Sequence, residues 1–153
     1  MVAARDPNTR PAPVILVGVD TSACSAQALR WAIAEADRRS AVVRAVRCIR
    51  PGGSHRHPVL DVVADSERAD AEQGLRALVD RVVTEAGSDV PVACEVLGTA
   101  GRVGDVLVDL AADADLLVVG RRGTGGLGQL LLGSVSRRCA EATICPVVVV
   151  PCS

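Results

Sequence analysis

Between residues 116 and 136 the glycines are spaced in a way that suits one chemistry, the holding of an anion by backbone amides. An apolar run, Leu116–Val119, stops at Gly120. Further glycines follow at 123, 125, 126, 128 and 133, and Ser134 then opens a predicted helix, about Ser134–Ala142. Glycine adopts positive φ without steric cost and lets ligand oxygens approach peptide N–H groups closely. A helix N-terminus adds unpaired N–H donors and roughly half a positive charge. A strand that opens into a glycine-rich loop and closes on a helix is therefore predicted to cradle a phosphate, and with it a nucleotide.

Three glycine patterns have to be separated. The P-loop pattern fails because it needs a lysine, and all 17 basic residues are Arg. The dinucleotide pattern G-x-G-x-x-G matches literally at residues 123–128, but it sits in the last strand–helix unit. The next strand runs out into Pro151-Cys152 without the acidic residue that reads a ribose, so the match is read as coincidence. The third pattern is Gly120, two residues, Gly123, nine residues, then Gly133-Ser134.

The elements that must position this loop follow from periodicity. Val14–Val19 is a β-branched apolar run suited to a strand buried on both faces. Asp20-Thr21-Ser22 breaks it, and Ser22 or Ser25 can cap the helix that follows, whose apolar stripe falls within Ala26–Arg39. Val42–Ile49 is a second strand, with Arg44 and Arg47 marking a partly open face. Ser66–Ala86 is an amphipathic helix, interrupted by Gly74 and stopped by Gly87-Ser88. Val90–Leu97 alternates as a third strand, with Pro91 at its start. A third helix stripe runs from Val103 to Ala111, a fourth strand covers Leu116–Val119, and a fifth covers Val147–Val150 between Pro146 and Pro151.

Strands alternating with helices predict an α/β fold: a five-stranded, mostly parallel, Rossmann-like sheet of order 3-2-1-4-5 with helices on both faces. Ligands of such sheets lie beyond the strand C-termini where strand order reverses. With the first and fourth strands as neighbours, Asp20 and Gly120 face one crevice. Residues 1–12 are expected to be a flexible arm and residues 13–153 a single domain.

Composition narrows the classes. Net charge is −1, so no basic footprint argues for nucleic acid, and with Trp31 as the only aromatic residue there is no platform for stacking bases. No apolar run reaches the ~18–20 residues of a membrane span, so a cytoplasmic protein without membrane partners is expected. The six cysteines contain no C-x-x-C pair and are read as buried structural thiols. His55 and His57 lie in a Gly/Pro-rich loop and are read as solvated.

The third glycine pattern, following a buried strand and leading into a helix, resembles the nucleotide signature of the universal stress protein family. The resemblance runs from Pro13 to Pro151. It is carried by VGVDTS at 17–22, ADLLVVGRRG at 114–123, LLLGSVS at 130–136 and CPVVVVP at 145–151. It implies that Asp20, next to Val19, holds the ribose of ATP and that the backbone at Cys48 meets adenine. It places Val119 and Gly120 beside the ribose. Gly123, Gly133, Ser134, Val135 and Ser136 would wrap the triphosphate, with Mg²⁺ on the phosphates. It also implies a homodimer through Val147–Val150. Arg47, Thr21 and Arg121 stand where the family often has His, Gly and Ser. The expected role is nucleotide-dependent regulation of a stress response. The alternative is a weak ATPase or nucleotidyl-transfer enzyme, for which no fixed base or metal-binding carboxylate cluster is legible. An interaction module without nucleotide is a third possibility, against which the intact glycine signature argues.

Overall fold

The computed structural model describes residues 11–51, 63–122 and 131–152. The chain alternates strands and helices as β1 (Val14–Gly18), α1 (Ala23–Arg39), β2 (Val42–Ile49), α2 (Asp65–Ala86), β3 (Val92–Gly98), α3 (Val103–Leu110), β4 (Leu116–Gly120), α4 (Ser134–Ala142) and β5 (Val147–Val150). A 3-10 turn at Ala111–Asp113 follows α3. The sheet order is β3-β2-β1-β4-β5 and every pairing is parallel, as expected from the alternation.

The sheet has two buried faces because side chains alternate along a strand. Ile15, Val17, Val43, Ala45, Leu116 and Val118 point to one face and pack with Leu29 and Ile33 of α1 and Leu75, Val79 and Val82 of α2. Leu16, Val46, Leu117 and Val119 point to the other and pack with Leu107, Ala111 and Cys139. The side chains of Leu16 and Leu117 are wholly inaccessible, and burying each contributes about 1.5–3 kcal/mol. No described helix is long and apolar enough to cross a membrane.

The partly open face of β2 is present. Arg44 pairs with Glu95 of β3 at 2.6 Å, and Arg47 Nη1 donates to the Ala71 carbonyl at 3.4 Å. β3 starts two residues later than its alternation suggests. Pro91 has no N–H to give the ladder, and only its carbonyl takes part, accepting from Val43 N–H at 2.9 Å. Gly87 ends α2 in the left-handed conformation at φ 59°, where glycine is favoured. Asp115 Oδ2 accepts the Val14 N–H at 2.8 Å, satisfying the first donor of β1.

Candidate functional site

β1 leads through α1 to β2 on one side of the sheet, and β4 leads through α4 to β5 on the other. The two central strands are neighbours, with Val17 opposite Val118, and their connections leave in opposite directions. Ligands of such sheets lie beyond the strand C-termini at such a point; here Asp20 follows β1 and Gly120 ends β4.

On the β1 side, Asp20 is half-buried and its Oδ1 accepts from three donors: Ser22 N–H at 2.7 Å, Ser25 Oγ–H at 2.7 Å and the Ser22 hydroxyl. Its own N–H donates to Ser25 Oγ at 2.7 Å. Ser22 is the N-cap of α1, its hydroxyl accepting Ser25 N–H at 3.3 Å. Of the two serines able to cap, Ser22 does so, while Ser25 is buried and locks Asp20. This network lets α1 begin at Ala23, three residues before its apolar stripe. Oδ2 of Asp20 takes none of these bonds. Asp20 thus braces the start of α1 through one carboxylate oxygen.

On the β4 side the chain leaves the sheet at Arg121, whose N–H donates to the Val150 carbonyl at 2.8 Å. It returns at Gly133, whose N–H donates to the Arg121 carbonyl at 2.9 Å. Gly133 is the N-cap of α4 and Ser134 its first helical residue, as expected. Ser134 is exposed and Val135 half-buried. Ser136 is buried, and its hydroxyl donates toward the Arg121 carbonyl at 3.0 Å and the Gly133 carbonyl at 3.1 Å. In this arrangement Ser136 fastens the mouth of the loop. The N–H groups of the first turn of α4 have no partners within the helix, and no acidic residue lies in that turn. Gly123 and the rest of 123–130 lie outside the described residues, as do His55, His57 and residues 1–10.

A crevice of about 560 Å³ opens from Asp20 between α1 and α2, lined in part by Val19, Ser22, Arg30, Arg47, Leu78 and Arg81. Of the residues predicted for the site, Val19 and Asp20 line it; Cys48, Val119, Gly120, Gly133, Ser134, Val135 and Ser136 do not. Val119 is 2% exposed and packs into the face covered by α3 and α4. Cys48 packs against the same face, where burial and the nearby Glu95 carboxylate push its thiol up to about 11. The crevice arginines come from α1, β2 and α2, so their meeting leaves no local pattern in the sequence. Arg30 is tied to Glu85 at 2.8 Å, joining α1 to α2.

The cysteines require a correction. Cys139 is buried, and burial pushes its thiol to about 11; Cys48, Cys94 and Cys145 are half-buried. Cys24 and Cys152, however, are joined as a disulfide, with Cα atoms 5.0 Å apart across a sequence separation of 128. Packing of the β5 end on the start of α1 brings them together, which no cysteine spacing reports.

An all-parallel 3-2-1-4-5 sheet with helices on both faces and a glycine-bounded loop at the switch point defines a Rossmann-like α/β protein. Within that class the chain belongs to the universal stress protein family, whose family model matches residues 13–151. It is similar to a universal stress protein of Mycolicibacterium smegmatis, 35% identical over 142 residues that cover 89% of this chain and 47% of the relative. It is also similar to universal stress protein Sll1388 of Synechocystis, 29% identical over 152 residues covering 89% of this chain and 96% of the relative. The chain thus spans about half the length of the mycobacterial relative. Among solved structures it resembles the universal stress protein UspA of Lactobacillus plantarum, with TM-score 0.70 and 25% identity, covering 93% of this chain and 99% of that one. A universal stress protein in complex with cAMP aligns with TM-score 0.68 and 27% identity, covering 93% of this chain and 98% of that one.

Proposed function

We propose that this protein binds ATP at the β1–β4 switch point and acts as a nucleotide-dependent regulatory protein of the stress response. The observation that carries the reading is a chain of contacts: Asp20 is bonded to Ser25, Gly120 lies against the neighbouring Cys24, and Gly133, the N-cap of α4, is bonded to Arg121. Val19, Asp20 and the Cys48 backbone take the nucleoside. Val119 and Gly120 flank the ribose, and Gly123, Gly133, Ser134, Val135 and Ser136 take the phosphates. The likeness to a family member holding cAMP supports an adenine nucleotide.

The residues present fit a triphosphate. The first turn of α4 offers free N–H groups and the exposed Ser134 hydroxyl, and no carboxylate stands in that turn to repel an anion. Mg²⁺ bound with the nucleotide would be held chiefly through the phosphates, as is usual for this ion, and would offset their charge. Asp20 has one oxygen committed to three hydrogen bonds that brace α1. That favours holding a ligand over moving a proton, and hydrolysis is expected to be slow. The edge strand β5, four consecutive valines paired on one side only, is proposed as the seam of a homodimer.

The test is to denature the purified protein, identify any nucleotide it releases by chromatography, and titrate the emptied protein with ATP by calorimetry. ATP binding that is lost in Gly133→Val, with the circular dichroism spectrum kept, is the expected result. No released nucleotide and no heat of binding would end the reading.

A further inference from the structure

The Cys24–Cys152 bond does not stand alone. Cys24 is the second residue of α1 and is 7% exposed. Its Cβ and backbone lie against Gly120 so closely that a Cβ there would meet Cys24 Cβ at 2.8 Å. Cys152 lies two residues past Val150, whose carbonyl holds the Arg121 N–H at 2.8 Å. Gly120 and Arg121 are consecutive, so the disulfide closes a ring that runs through Cys24, Gly120, Arg121, Val150, Pro151 and Cys152. That ring runs through the exit of β4, where the chain leaves the sheet. One residue beyond Cys24, Ser25 locks Asp20. The crevice residue Asp20 and the end of β4 are therefore both fastened next to one covalent bond.

We propose that Cys24 and Cys152 form a reversible thiol–disulfide clasp that sets the nucleotide affinity of the crevice; the ligand named here rests on the ATP reading above. Closure removes two protons and two electrons from the paired thiols. A peroxide accepts them, its O–O bond is cleaved, and water is formed with the corresponding alcohol, or a second water from hydrogen peroxide. Opening is exchange with a dithiol. Cys152 is only half-buried, so the incoming thiolate attacks its sulfur. Cys24 then leaves as the thiolate from the first turn of α1. The reductant ends as its own disulfide. Cys48 and Cys139, whose thiols burial holds near 11, do not compete for either step. With the bond open, the Pro151-Cys152 tail is released from α1 and the grip of Val150 on Arg121 relaxes.

The experiment compares the peroxide-treated protein, the same sample after dithiothreitol, and Cys152→Ser under both conditions. Intact mass and peptide mapping should show loss of two hydrogens and a Cys24–Cys152 peptide, reversed by dithiothreitol. ATP should bind about tenfold more weakly to the reduced protein, within the ordinary range of site-to-site coupling, and Cys152→Ser should match the reduced protein in either buffer. Amide hydrogen exchange at Arg121 should quicken on reduction, with or without ATP. Absence of the crosslink, equal ATP affinity in the two states, or unchanged exchange at Arg121 each overturns the clasp. If ATP binds in neither state, the ATP reading falls, and the exchange rate at Arg121 still decides the clasp.

Discussion

The Cβ that Gly120 lacks would stand 2.8 Å from Cys24 Cβ and 3.1 Å from the Cys24 carbonyl carbon. The end of β4 and the first turn of α1 therefore touch backbone to backbone. Neither can yield, because Gly120 is paired with Val150 in the sheet and α1 is capped two residues earlier. Gly120→Ala is expected to cost about 1–3 kcal/mol, as overpacking does, and to lower Tm by roughly 2–4 °C for each kcal/mol in a chain of this size. Urea unfolding of the variant measures it; an unshifted midpoint would mean that the two backbones separate freely.

Asp20 is expected to show two separable roles. Asp20→Ala leaves the buried Ser25 hydroxyl and the Ser22 N–H without their acceptor and should cost about 1–3 kcal/mol. Asp20→Asn keeps an acceptor oxygen in the same place and should cost less than half as much. If Oδ2 holds the ribose, the Asn variant still loses a charge-assisted bond, which is roughly twice as strong as a neutral one, and its ATP affinity falls. Thermal unfolding and calorimetry on both variants check the pair. Equal stability losses would place the whole effect on charge.

Ser136→Ala removes the hydroxyl that bridges the Arg121 and Gly133 carbonyls. Both carbonyls keep a backbone donor, from Gly133 N–H and Arg137 N–H, so no acceptor is orphaned and the expected loss is about 1 kcal/mol. The local consequence should exceed the global one. Amide exchange at Gly133 is expected to quicken more than exchange in the β1 core, and parallel changes at both would contradict a local fastening.

Gly74 sits inside α2 over the crevice, and a Cβ there would lie 3.1 Å from Arg47 Nη1, the far end of a long side chain. Arg47 can move by a few tenths of an ångström while the helix gains up to about 1 kcal/mol from alanine. Gly74→Ala is therefore expected to raise Tm slightly. A fall would show that the Arg47 guanidinium is held rigidly by the Ala71 carbonyl.

Burial raises the thiols of Cys48 and Cys139 to about 11 from an ordinary 9.0. Between these values the unfolded chain has lost the protons that the folded chain keeps. The contribution is therefore complete below pH 9 and is lost as pH rises toward 11. Stability measured by urea unfolding should decline over that interval. The decline should be shallower in Cys139→Ala, compared slope against slope because the cavity lowers that variant at every pH. Identical slopes would remove the thiol as the cause.

Much of the fold was legible in the chain. Five stretches of strand length alternating with helical stripes require a parallel layered sheet, because each stripe must bury its face and the central apolar runs both of theirs. Glycines at 120 and 133 likewise marked where β4 ends and where α4 begins. Local hydrogen bonding moved the edges: α1 starts at Ala23 because Ser22, Ser25 and Asp20 satisfy its first turn, which apolar periodicity cannot register.

What only tertiary structure decided are the contacts between segments distant along the chain. Periodicity reports which face of an element is buried, not which residues of two elements come opposite one another. Arg30, Arg47 and Arg81 reach one crevice from three elements, and Cys24 meets Cys152 across a separation of 128 because β5 ends beside the start of α1. The order of the strands brought those ends together, and the side chains there took up the partners that packing left within reach.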